Sequence, residues 1–193
     1  SKINIETVGS LRCKSITNKS LLEKNHIKKL TRICVPLGYN QENYDLIIEI
    51  LKKVDKSIKI DILLHPLNYT YKAQDNLNPN IFIHSKRNDK IFQNCNLIIV
   101  DDNSMFIEGW AMGIPTVILD SDKFGLTKRD WDSPIIHINE DEIINIHEQY
   151  LIEKINKSIN NYINSNYSSS YFKECDINKF LDRVNNILYS QSN

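Results

Sequence analysis

Leu97-Ile98-Ile99-Val100-Asp101-Asp102-Asn103-Ser104-Met105-Phe106-Ile107-Glu108-Gly109-Trp110-Ala111-Met112-Gly113-Ile114-Pro115-Thr116-Val117-Ile118-Leu119 is the stretch whose reading decides the fold. Leu97 to Val100 are four consecutive apolar residues, the pattern of a strand covered on both faces of a parallel sheet. Asp101-Asp102-Asn103-Ser104 brings turn and N-cap chemistry, and Met105 to Met112 suits a helix. Gly113 is placed to end that helix in a left-handed conformation, and Ile114-Pro115 leads into a second strand, Thr116 to Leu119. A strand that ends in such a turn leaves backbone N–H groups and the positive end of a helix dipole at a crevice. That arrangement suits an anionic ligand such as a phosphate.

The same alternation extends outward. Ile33 to Leu37 reads as a strand, Gly38-Tyr39-Asn40 as a turn, and Glu42 to Val54 as an amphipathic helix with Tyr44, Ile47, Ile48 and Leu51 on one face. Ile58 to Leu64 is a strand ending at His65-Pro66, Ile81 to His84 is another, and Asn88 to Asn94 makes a short helix. After Leu119 comes a loop over 120–133, then a strand at Ile135 to Ile138. Glu140 to Ile163 is helical with a break near Asn145, and Ile177 to Tyr189 is a last amphipathic helix. Ile3 to Val8 reads as a short, isolated strand. Strands alternating with helices across short loops predict an α/β fold, a doubly wound, mostly parallel, Rossmann-like sheet. The expected organisation is a linker and remnant of a preceding domain at 1–31, a nucleotide-binding core at 32–139, and a helical segment at 140–193 packed over the sheet.

The 193 residues allow one domain with a full core. Lys plus Arg and Asp plus Glu number 24 each, and this zero formal charge argues against nucleic acid, whose ligands carry a basic surplus. No apolar stretch approaches the twenty residues of a membrane span, and no signal peptide opens the sequence. Cys13, Cys34, Cys95 and Cys175 form no CxxC pair, so reduced thiols in a cytoplasmic protein are expected over a disulfide framework.

In a doubly wound sheet ligands bind at the carboxyl ends of the strands. Gly38-Tyr39-Asn40, His65-Pro66, His84-Ser85, Asp101 to Ser104 and Asp120 therefore converge on one edge. There Gly38 lets the backbone approach a ligand, Asn40 can donate to phosphate oxygens, and Asp102, Asn103 and Ser104 line the anion-binding turn. His65 can bind a phosphate or sugar hydroxyl or shuttle a proton, while His84 reads as structural. Ser104 and Glu108, four apart, share one helix face. Glu108 is a carboxylate among apolar and small neighbours and needs partners. Gly109 and Gly113 make a stripe for close packing. Asp101 and Asp102 point in different directions with no further ligand at metal spacing, so no metal is expected.

Gly-Tyr-Asn after the first strand, His-Pro after the second, and Asp-x-x-Ser-x-x-x-Glu-Gly-x-x-x-Gly-x-Pro over 101–115 together resemble the C-terminal, donor-binding half of a GT-B glycosyltransferase. That group includes enzymes of bacterial surface-polysaccharide and teichoic-acid-type polymer synthesis. Val8-Gly9-Ser10-Leu11-Arg12 is similar to the Gly-Ser segment that often follows the N-terminal half. The resemblance implies a nucleotide-activated donor, a nucleotide sugar or CDP-activated compound, as substrate and no separate cofactor. It also implies that Ser104, Gly38 and Asn40 hold the diphosphate, Glu108 the ribose or sugar, and His65 the donor phosphate or sugar, with His65 and Glu108 as catalytic residues. The acceptor would come from an N-terminal half or another chain, and the full enzyme would work at the inner face of the membrane. An epimerase or hydrolase of nucleotide sugars on the same fold, or a non-catalytic interaction domain, are the alternatives.

Overall fold

The computed structural model describes residues 26–72, 76–86, 89–101, 105, 108–109, 112–120 and 136–164. The expected strand at 3–8, most of the loop at 120–133 and the helix at 177–189 lie outside them. Among the described residues six parallel strands form one sheet: β1 (Arg32–Pro36), β2 (Lys59–Leu63), β3 (Ile81–His84), β4 (Leu97–Val100), β5 (Thr116–Leu119) and β6 (Ile136–Ile138). Their order is β3-β2-β1-β4-β5-β6, which reverses between β1 and β4. This is the doubly wound α/β architecture that the alternation of elements predicts. The register pairs Val35 with Ile62, Ile62 with Ile83, and Ile99 with Val117.

Alternate strand residues feed two cores. Ile33, Val35, Ile60, Ile62, Leu97 and Ile99 face the larger one. It is covered by α1 (Tyr44–Leu51), α3 (Glu140–Ile144) and α4 (Gln149–Asn164). The expected helix over 42–54 is shorter, because Asn40 caps a 3-10 turn at Gln41–Asn43 first and the chain turns again after Leu51. Asn139 opens α3 with a capping box, its Oδ1 accepting from the Glu142 N–H at 2.9 Å while Glu142 Oε2 accepts from the Asn139 N–H at 3.1 Å. Asn145 ends α3 where the break was expected. In α4, Ile152, Ile155 and Ile159 are buried at spacings of three and four, each worth about 1.5–3 kcal/mol over an exposed side chain.

The same helix holds the segment before β1. Asn156 accepts from the Ile27 N–H at 2.9 Å and donates to its C=O at 2.8 Å, so one side chain pairs both backbone groups of Ile27. Ile27 and Leu30 are buried in the larger core, which places residues 26–31 in the packed domain.

The opposite face is filled by Cys34, Leu63, Ile98 and Val100 with Ile91 and Phe92 of α2 (Asp89–Gln93) and Ile114. Burial raises both thiols, that of Cys95 to about 12, so Cys34 and Cys95 stay protonated and serve as small hydrophobes. No helix among the described residues is long and apolar enough to cross a membrane.

Candidate functional site

The strand order reverses between β1 and β4, and in sheets of this kind the crevice that binds ligands lies at such a switch point, outside the carboxyl ends of the strands. Two residues join the strand ends at that point. Asp101 follows β4 directly and is buried, and its Oδ2 accepts a hydrogen bond from the Gly38 N–H at 2.9 Å. A Cβ on Gly38 would stand 2.8 Å from both carboxylate oxygens. The close approach expected at Gly38 is therefore made by Asp101, a protein group, which locks the loop after β1 to the end of β4.

On the far side of that lock, Met105, Glu108 and Gly109 are helical and Glu108 is half-buried. The Met112 N–H donates to the Glu108 C=O at 2.9 Å, and the Ile114 N–H to the Gly109 C=O at 3.0 Å. Gly113 sits at φ 70°, the left-handed helix end expected of it. Gly109 has no room for a side chain, since a Cβ would lie 2.2 Å from Thr116 Oγ1 and 3.0 Å from Ile98 Cδ1. That contact seats the helix against β4 and β5. Asp102, Asn103 and Ser104, the expected lining of the anion site, lie outside the described residues.

His65 stands at the start of the loop after β2 and is half-buried. It caps the 3-10 turn Pro66–Asn68, its Nδ1 accepting from the Leu67 N–H at 3.3 Å. With Nδ1 used as an acceptor, the neutral ring carries its proton on Nε2 and offers a donor there. That geometry favours holding a phosphate or hydroxyl oxygen over removing a proton. The Tyr39 ring meets the imidazole edge-on at 5.7 Å and is itself 70% exposed. Asn40, also exposed, spends its side-chain oxygen on the Glu42 N–H at 3.2 Å, so its carbonyl oxygen is a cap. Thus Gly38, Asn40 and His65 lie on adjacent loops of the carboxyl edge, with Glu108 on the helix that follows Asp101.

Asp61 is not among the site residues expected from the sequence. It is buried in the middle of β2, where Arg32 of β1 reaches it with Nε at 2.6 Å and Nη2 at 3.0 Å, and His84 of β3 with Nε2 at 2.8 Å. Burial pushes its carboxyl up, but the hydrogen bonds from Arg32 and His84 outweigh that and hold it below the usual carboxylate range. The signal was a lone carboxylate inside the otherwise apolar run Ile60-Asp61-Ile62-Leu63, a position that requires partners. His84, expected to be structural, belongs to this cluster. Among the described residues no group of three or more His, Cys, Asp or Glu is arranged to hold a metal ion.

Compared by sequence, the chain matches no protein-family model and no curated protein. Compared by structure, it resembles the wall teichoic acid polymerase TagF. One variant of that enzyme superposes with a TM-score of 0.54 at 14% identity, over 97% of this chain and 52% of that one. A crystal of the variant soaked with CDPG gives 0.55 at 15% identity, over 98% and 53%. The chain thus spans about half the length of the polymerase chains it matches, and the likeness shows the fold: it is built like one half of a GT-B glycosyltransferase.

Proposed function

We propose that this domain binds the nucleotide-activated donor of a bacterial transferase that makes a cell-surface glycan or a teichoic-acid-type polymer. The observation that carries the reading is the reversal between β1 and β4, locked by Asp101 and Gly38, with His65, Asn40 and Glu108 around it, on a fold shared with half of a teichoic acid polymerase. The soaked polymerase crystal makes a CDP-activated polyol such as CDP-glycerol the first donor to try.

In this reading the crevice holds the donor's diphosphate, His65 donates from Nε2 to a phosphate or sugar oxygen, and Glu108 accepts from ribose or sugar hydroxyls. Charge that builds on the leaving diphosphate is stabilised by such fixed donors. The donor is the substrate, and no separate cofactor is invoked. The acceptor comes from a second half of the same fold or from another chain, and the work is done on the cytoplasmic side.

A thermal-shift panel with UDP, CDP, GDP, their sugars and CDP-polyols at millimolar concentration tests this. A selective rise in Tm that Glu108→Ala abolishes is the expected result. No shift with any nucleotide overturns it.

A further inference from the structure

Tyr44 is fully buried on the first turn of α1, where the other buried side chains, such as Ile47 and Ile48, are aliphatic. A Phe would fill the same space, so the hydroxyl needs its own explanation. It donates to the Gly38 C=O at 2.8 Å and accepts from Asn68 Nδ2 at 2.9 Å and from the His65 N–H at 3.3 Å. A phenol has one donor and two acceptor positions, and all three are used. Asn68 Nδ2 also donates to the Tyr39 C=O at 2.8 Å, so its two hydrogens tie the loop after β2 to the loop after β1 and to α1. Gly38 is gripped on both sides, its N–H by Asp101 and its C=O by Tyr44. Three loops of the carboxyl edge are joined through one peptide segment.

We propose that Tyr44, with Asn68, is a positioning residue that holds the loops after β1, β2 and β4 as one preformed wall of the crevice. His65 and Tyr39 then meet a ligand already in place, and binding need not spend free energy on ordering them. The effect on ligand affinity rests on the donor-site reading above, whereas the effect on the loops does not.

The test compares Tyr44→Phe and Asn68→Ala with Tyr71→Phe in the full chain. The Tyr71 ring packs edge-on against Tyr44 at 5.1 Å, and its hydroxyl donates to Asp45 at 2.5 Å. Its loss therefore perturbs the same neighbourhood without touching the clamp. Two quantities report on the loops: hydrogen exchange of the His65 amide relative to sheet amides such as Ile62, and the NMR shifts of the His65 ring protons beside Tyr39. The third is the dissociation constant for the best nucleotide of the panel, measured well below Tm.

Tyr44→Phe and Asn68→Ala should speed His65 exchange about tenfold, the loss of one net hydrogen bond, and move the His65 ring resonances. Nucleotide affinity should weaken by a similar factor. Tyr71→Phe should lower Tm and leave all three readings within about twofold. Unchanged exchange and ring shifts in Tyr44→Phe overturn the proposal, as does unchanged affinity in a chain that binds nucleotide. A parent chain that binds no nucleotide overturns the donor reading, and the clamp is then decided by exchange and ring shifts alone.

Discussion

Gly38→Ala isolates the lock at the crevice. Gly113 is the described glycine with positive φ, so an Ala at 38 meets no left-handed backbone and its effect comes from contact. The new methyl group would lie 2.8 Å from both oxygens of Asp101 and 3.1 Å from its Cγ. Asp101 is buried and its side chain is short, so the carboxylate cannot swing aside without leaving the Gly38 N–H that it accepts from at 2.9 Å. Overpacking of this kind costs ~1–3 kcal/mol. Losing the hydrogen bond and leaving a buried partner unsatisfied adds ~1–3 kcal/mol. The two overlap, because relieving the clash breaks the bond, and the expected loss is about 3 kcal/mol. For a domain of this size that lowers Tm by roughly 6–12 °C. Differential scanning calorimetry of Gly38→Ala, Asp101→Ala and the double variant gives the decisive cycle. With Asp101 truncated, the added Ala should cost less than ~1 kcal/mol. An equal cost in both backgrounds, or a Tm within 2 °C of the parent, would refute the lock.

Gly109→Ala should be the more damaging glycine substitution, by ~3 kcal/mol or more, since its methyl group would overlap Thr116 Oγ1 at 2.2 Å; pairing it with Thr116→Ala should recover part of the loss in urea titrations. Asp61→Asn should cost about 2–3 kcal/mol, below the range for a fully enclosed ion pair, because the Arg32 and His84 side chains are 30% and 33% exposed. The Asp61 carboxyl is held below its ordinary range near pH 4. Its contribution is therefore complete above about pH 5 and is lost as the pH falls through the lowered value. Thermal melts between pH 2 and 6 should show an acid decline that Asp61→Asn flattens, and an unchanged decline would mean that other carboxylates set it.

The strands were legible in the sequence. Leu97–Val100, Thr116–Leu119 and Ile81–His84 occupy the positions read from their apolar runs, because each run is short, continuous and bounded by polar residues, Gly or Pro. The break at Asn145 and the left-handed Gly113 are equally local matters of cap and backbone chemistry. The convergence of Gly38, Asn40 and His65 on one edge also followed, since parallel strands place all their carboxyl ends together.

What each residue does there was decided by tertiary structure. Asp61 meets Arg32, 29 positions earlier, and His84, 23 later, because β2 lies between β1 and β3. Gly38 meets Asp101 across 63 positions because β4 inserts beside β1, out of sequence order. The Tyr44 hydroxyl looked like part of an apolar helix face until three groups on two loops were seen to use it. Periodicity records which face of an element is buried, a local property of the chain. Which polar groups meet depends on strand order and register, and those are set by how the elements pack.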